Sequence, residues 1–71
     1  MSREEYAVWL FLNENPESAF SRREIARRAV KRAVFEQNPN WANEALSALV
    51  ARGVIEVDEQ GCYRLKRAHS I

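Results

Sequence analysis

The tightest constraint on this chain is residues 38–53, Asn-Pro-Asn-Trp-Ala-Asn-Glu-Ala-Leu-Ser-Ala-Leu-Val-Ala-Arg-Gly, which carry both a start and a stop signal for a helix. Asn38 can accept a backbone N–H of the first turn, and Pro39 sits where a missing donor costs nothing. Gly53 can take the left-handed conformation that ends a helix. Ala42, Ala45, Leu46, Leu49 and Val50 recur on one stripe, with Asn40, Asn43, Glu44, Ser47, Ala48 and Ala51 opposite. After Gly53 the apolar period switches from helical to alternating. Val54-Ile55-Glu56-Val57 and Cys62-Tyr63-Arg64-Leu65 read as two strands, joined by Asp58-Glu59-Gln60-Gly61 as a hairpin loop. Ile55 with Val57, and Tyr63 with Leu65, can each share a face, and Tyr63 and Leu65 are expected in the core.

Upstream, a first helix is expected from residue 2 or 3 to residue 13, with Pro16 marking its exit. Val8, Phe11 and Leu12 form its core stripe. Tyr6, Trp9 and Leu10 lie off that stripe, so the helix is apolar nearly all round. Tyr6 and Trp9 either fold over the core edge or form a surface through which two copies pair. Ala19-Phe20 can add a short extended piece. Ser21-Arg22-Arg23-Glu24 then fits a capping box and opens a second helix. Ile25, Ala26, Ala29, Val30 and Ala33 recur on its inner face, and the helix can continue through Phe35, itself expected in the core.

A chain of 71 residues makes one domain, residues 1–71, with a core over about 4–66 and a tail over 67–71. At this size roughly 60% of the unfolded surface is buried, so the core is thin. No apolar run approaches the ~20 residues of a membrane span, and the longest, residues 6–12, lacks a cleavage site. One cysteine, Cys62, allows no intrachain disulfide and no zinc site of Cys/His spacing, so the expected setting is cytoplasmic. His69 stands alone in the tail, and neither paired carboxylates nor a glycine-rich phosphate loop is present. The expectation is therefore a non-enzyme without cofactor or metal.

Net charge is only +1, but it is unevenly spread. Arg22, Arg23, Arg27, Arg28, Lys31 and Arg32 oppose Glu24 alone between residues 20 and 32. Residues 1–19 hold Arg3 against Glu4, Glu5, Glu14 and Glu17. Such a basic run is either a solvated helix face or a phosphate-binding one.

The order helix, short strand, helix, helix, two-stranded hairpin resembles the winged helix-turn-helix domain. The residues that carry the resemblance are Leu46-x-x-Leu49-x-x-x-Gly53-Val54-Ile55 and Gly61-Cys62-Tyr63-Arg64-Leu65, with Phe20-Ser21-x-x-Glu24-Ile25-Ala26-x-x-Ala29 upstream. The resemblance implies an α+β fold of three helices with a C-terminal β-hairpin wing. It also implies duplex DNA as the partner, in transcriptional regulation. Residues 39–52 would be the recognition helix, offering Asn40, Trp41, Asn43, Glu44 and Ser47 to bases or phosphates. Arg22 and Arg23 would meet the backbone, aided by helix N–H groups, and Arg64, Lys66 and Arg67 would reach flanking phosphates. A homodimer would pair through the first helix, at Tyr6, Trp9 and Leu10.

A second reading keeps the fold and changes the partner. The outward side of the third helix has no cation before Arg52 and presents Glu44. With Trp41 it would suit a protein partner, making the domain a protein–protein interaction module. Trp41 can equally be a residue of the core edge, and Cys62 a half-buried strand residue.

Overall fold

The computed structural model describes residues 1–66. It is a small α+β domain of four helices and a three-stranded antiparallel sheet, with elements α1 (Arg3–Glu14), β1 (Phe20–Ser21), α2 (Arg22–Arg28), α3 (Arg32–Gln37), α4 (Asn43–Ala51), β2 (Ile55–Val57) and β3 (Cys62–Leu65). The expected tail, with Arg67 and His69, lies outside the described residues. None of these helices is long and apolar enough to cross a membrane.

A capping box starts α1: Ser2 Oγ accepts from the Glu5 N–H at 3.1 Å and the Ser2 N–H donates to Glu5 Oε1. The box expected at Ser21 and Glu24 forms by half. Ser21 Oγ accepts from the Glu24 N–H at 3.1 Å, but the Glu24 carboxylate turns to Arg28 instead. Arg28 stands one turn further on the same face, within reach of that carboxylate at 3.3 Å.

The second helix is shorter than the sequence spacing predicts. It ends at Arg28; Ala29 caps it, and Lys31 turns extended before α3 begins. The reason is Phe35. Ten residues after Ile25, at about 100° per residue, a continuous helix would carry Phe35 about 100° off the centre of the Ile25–Ala29 stripe. The break lets Phe35 pack against the core, and it leaves Ala33, expected inside, exposed.

The third helix of the sequence reading likewise starts later, at Asn43 rather than Pro39. Residues 39–42 form tight turns in which Trp41 N–H donates to the Asn38 carbonyl and Asn43 N–H to the Asn40 carbonyl, each at 3.1 Å. Asn38 Oδ1 accepts from Asn40 N–H, so it caps this turn and not the helix. The far end closes as the sequence indicates. Gly53 has φ 75°, its N–H donates to the Val50 carbonyl, and Val54 N–H donates to the Leu49 carbonyl. That pair of bonds is a Schellman closure, and it aims the chain directly into β2.

The sheet order is β1-β3-β2. Phe20 faces Tyr63, Val57 faces Tyr63, and Ile55 faces Leu65, so these side chains share the inner side of the sheet. Ile55 is buried, while Tyr63 and Leu65 are half-buried against the core and Val57 is exposed near the hairpin tip. In the hairpin loop Asp58 Oδ1 accepts from Gln60 N–H and Cys62 N–H, and Gly61 at φ 83° completes the turn. Val8, Phe11 and Leu12 of α1 meet Ile25 and Ala26 of α2, Ala42, and Ala45, Leu46 and Leu49 of α4 in one buried cluster. Burial of such side chains, each contributing about 1.5–3 kcal/mol, is what holds the elements together.

Candidate nucleic-acid interface

The basic residues of the chain fall into two groups. Arg28, Arg32, Arg52 and Arg64 each have a carboxylate partner: Glu24 at 3.3 Å, Glu36 at 2.8 Å, Glu5 at 2.7 Å and Glu56 at 2.7 Å. The Arg28 guanidinium also sits 5.5 Å from the Phe11 ring centre and 5.4 Å from that of Phe20, which fixes it over the core edge. Among the described residues, Arg22, Arg23, Arg27, Lys31 and Lys66 have no carboxylate partner, nor does Arg3 on α1.

Local structure puts four of those free cations along one element and its exit. Arg22 and Arg23 open α2, Arg27 lies one turn after Arg23 on the same side, and Lys31 follows in the break before α3. The side is solvent-facing because Ile25 and Ala26 hold the opposite one in the core. The sheet register sets what stands beside it. Ser21, immediately before Arg22, pairs with Cys62, so α2 starts next to the first residue of β3. Arg64, two residues further along β3, shares the outer face with Cys62, and Lys66 follows the strand.

Among the residues expected to contact a partner, Arg22, Arg23, Asn40, Ser47, Arg64 and Lys66 are exposed, and Asn43 is half-exposed. Arg64 is the one of these held in an ion pair, its guanidinium bonded across the strands to Glu56 at 2.7 Å. Trp41 is placed differently from the rest. Its Nε1–H donates to the Ala26 carbonyl at 2.8 Å, and its ring packs against the core, so it tethers the turn before α4 to α2. The carbonyl it reaches lies near the end of α2, whose last carbonyls have no helical donor.

The outward side of α4 carries Glu44, Ser47 and Ala51 without a cation. Between it and the start of α1 runs an open groove of about 530 Å³, whose lining includes Glu4, Glu5, Glu44, Asn38, Trp41 and Ala48. Glu5 is held there by Arg52, whereas Glu4 and Glu44 have no cation partner among the described residues. The groove is thus acidic and the α2 edge basic.

Two of these arrangements leave no local signal in the sequence. The Arg52–Glu5 pair joins residues 47 positions apart, so no local pattern announces it. The Trp41 tether spans 15 positions and depends on the turn that brings α4 back. Glu24 with Arg28 and Arg32 with Glu36 were legible, since residues four apart on a helix are neighbours.

What the fold and the site define is a class: a small α+β domain with a basic helix edge beside a β-hairpin. Compared with known proteins, the chain matches no family, no curated protein and no solved structure at a significant level.

Proposed function

We propose that this domain binds duplex DNA as a winged helix-turn-helix module, in the service of transcriptional regulation. The observation that carries the reading is the set of cations without carboxylate partners among the described residues, Arg22, Arg23, Arg27 and Lys31, along α2 and its exit, with the Arg22 end next to the hairpin. Cations left without carboxylates where carboxylates are plentiful elsewhere suit phosphate neutralisation. The order of elements and the β1-β3-β2 sheet support the same reading, with β2 and β3 as the wing and α4 as the recognition helix. In this arrangement α2 anchors the phosphate backbone and Lys66 reaches a flanking phosphate. Asn40, Asn43 and Ser47 meet the groove, where an asparagine can bond adenine at two positions. Trp41 serves by holding α4 against α2 and not by touching DNA.

Titration of the domain against a labelled duplex at several salt concentrations tests this. Four or five phosphate contacts give a log K against log salt slope of about −4, since each contact contributes about −0.9. Absence of binding at the lowest salt would overturn the reading.

A second reading is favoured by one specific observation, the acidic groove beside Trp41. There the module would take a cationic segment of a protein between α1 and α4. Glu44→Ala separates the two: it tightens DNA binding by removing repulsion, and it weakens a cationic protein partner.

A further inference from the structure

Opposite its buried Val8 and Leu12, α1 turns outward a side with an apolar middle, Tyr6 and Leu10. At about 100° per residue, Arg3, Tyr6, Leu10, Asn13 and Glu14 fall on that side. Tyr6 is 52% exposed and Leu10 38%, and the Tyr6 ring is held in place by stacking on Trp9 at 6.0 Å between centres. The steps Arg3, Tyr6, Leu10, Asn13 run three, four, three, so the four share one face, apolar at its centre and polar at its ends. Beside it lies a crevice of about 180 Å³ lined by Arg3, Glu4, Ala7, Val30, Val34 and Trp41, and Val34 is itself 44% exposed.

Charge decides what covers this side. Arg3 and Glu14 stand at opposite ends of the stripe, and neither has an ion-pair partner among the described residues. Two copies of α1 laid antiparallel would set each Arg3 against the Glu14 of the other, with Tyr6 and Leu10 crossing at the centre. A parallel pair would set Arg3 against Arg3. We propose that this face is a homodimer surface, in which two copies of the chain pack α1 against α1 in antiparallel, two-fold fashion. The proposal stands independently of any nucleic-acid partner. Twelve residues of helix make a strip about 18 Å long, which covers less than the roughly 800 Å² per partner of a stable interface. The dimer is therefore weak and concentration-dependent.

Sedimentation equilibrium tests it over concentrations from about 10 μM to about 1 mM, the range a small interface requires. The expected mass rises from 8.3 kDa toward twice that value. Tyr6→Glu, at an exposed position that leaves far-ultraviolet circular dichroism unchanged, weakens association by about tenfold or more. Arg3→Glu and Glu14→Arg each weaken self-association, because each sets like charges together. Mixed in equal amounts, the two variants associate more tightly than either alone, because both end contacts become attractive. A mass constant at 8.3 kDa across the range would overturn the proposal. So would association indifferent to Tyr6→Glu, or a mixture no tighter than its components.

Discussion

The α2 edge and the α1–α4 groove are built from neighbouring helix ends on one core, yet they present opposite charge. The edge shows Arg22, Arg23, Arg27 and Lys31 without carboxylate partners among the described residues. The groove shows Glu4, Glu5 and Glu44, of which Glu5 alone is matched, by Arg52. A net charge of +1 conceals this division. At physiological salt, fields from exposed charges fade within about 8 Å, so a binding partner senses the local patch and not the total. Two surfaces of opposite sign on so small a domain therefore present different local fields, and the comparison can be broken or sharpened by substitution.

The largest effect is expected at Leu49, fully buried beneath both regions. Leu49→Ala should cost about 2–5 kcal/mol, read as a lower denaturant midpoint, and should abolish both surfaces at once. If either surface persisted with full affinity in a variant that unfolds so readily, the two would not share a core. Next comes Trp41, which joins the regions by reaching Ala26. Trp41→Phe keeps an aromatic ring, though a smaller one, but strands the carbonyl, for an expected loss of about 1–3 kcal/mol in thermal or chemical unfolding. An unchanged midpoint would remove the tether from the account. Smaller again is Gly53→Ala. No atom lies within 4 Å of the added methyl, so the cost is that of φ 75° alone, about 1–2 kcal/mol. The smallest is Arg52→Ala, which releases Glu5 at the groove. An exposed pair of this kind contributes about 0–1 kcal/mol, and any effect should shrink at high salt.

The parts of the fold that could be read from the chain are those decided locally. Val8, Phe11 and Leu12 were legible from helical spacing, and Gly53 and Gly61 from the turns that require positive φ. Leu46 and Leu49 before the alternating Ile55 and Val57 marked where helix gives way to hairpin. What stayed hidden depends on distant contacts. The break at residues 29–31 brings Phe35 against the core, a contact known only once the core exists. Pro39 and Asn38 are helix-start residues that here serve a turn, because Trp41 must reach back to Ala26. At the candidate site, the basic run was visible, but the division between paired and unpaired cations was not. Arg64 is paired with a cross-strand carboxylate, and Arg52 with a residue on the first helix.

The most direct measurement compares the unaltered domain with Arg22→Ala/Arg23→Ala in duplex binding across a salt series. The account predicts uniformly weaker binding to all duplex sequences and a log–log salt slope shallower by about 2, one for each phosphate contact removed. An unchanged slope and affinity would contradict it.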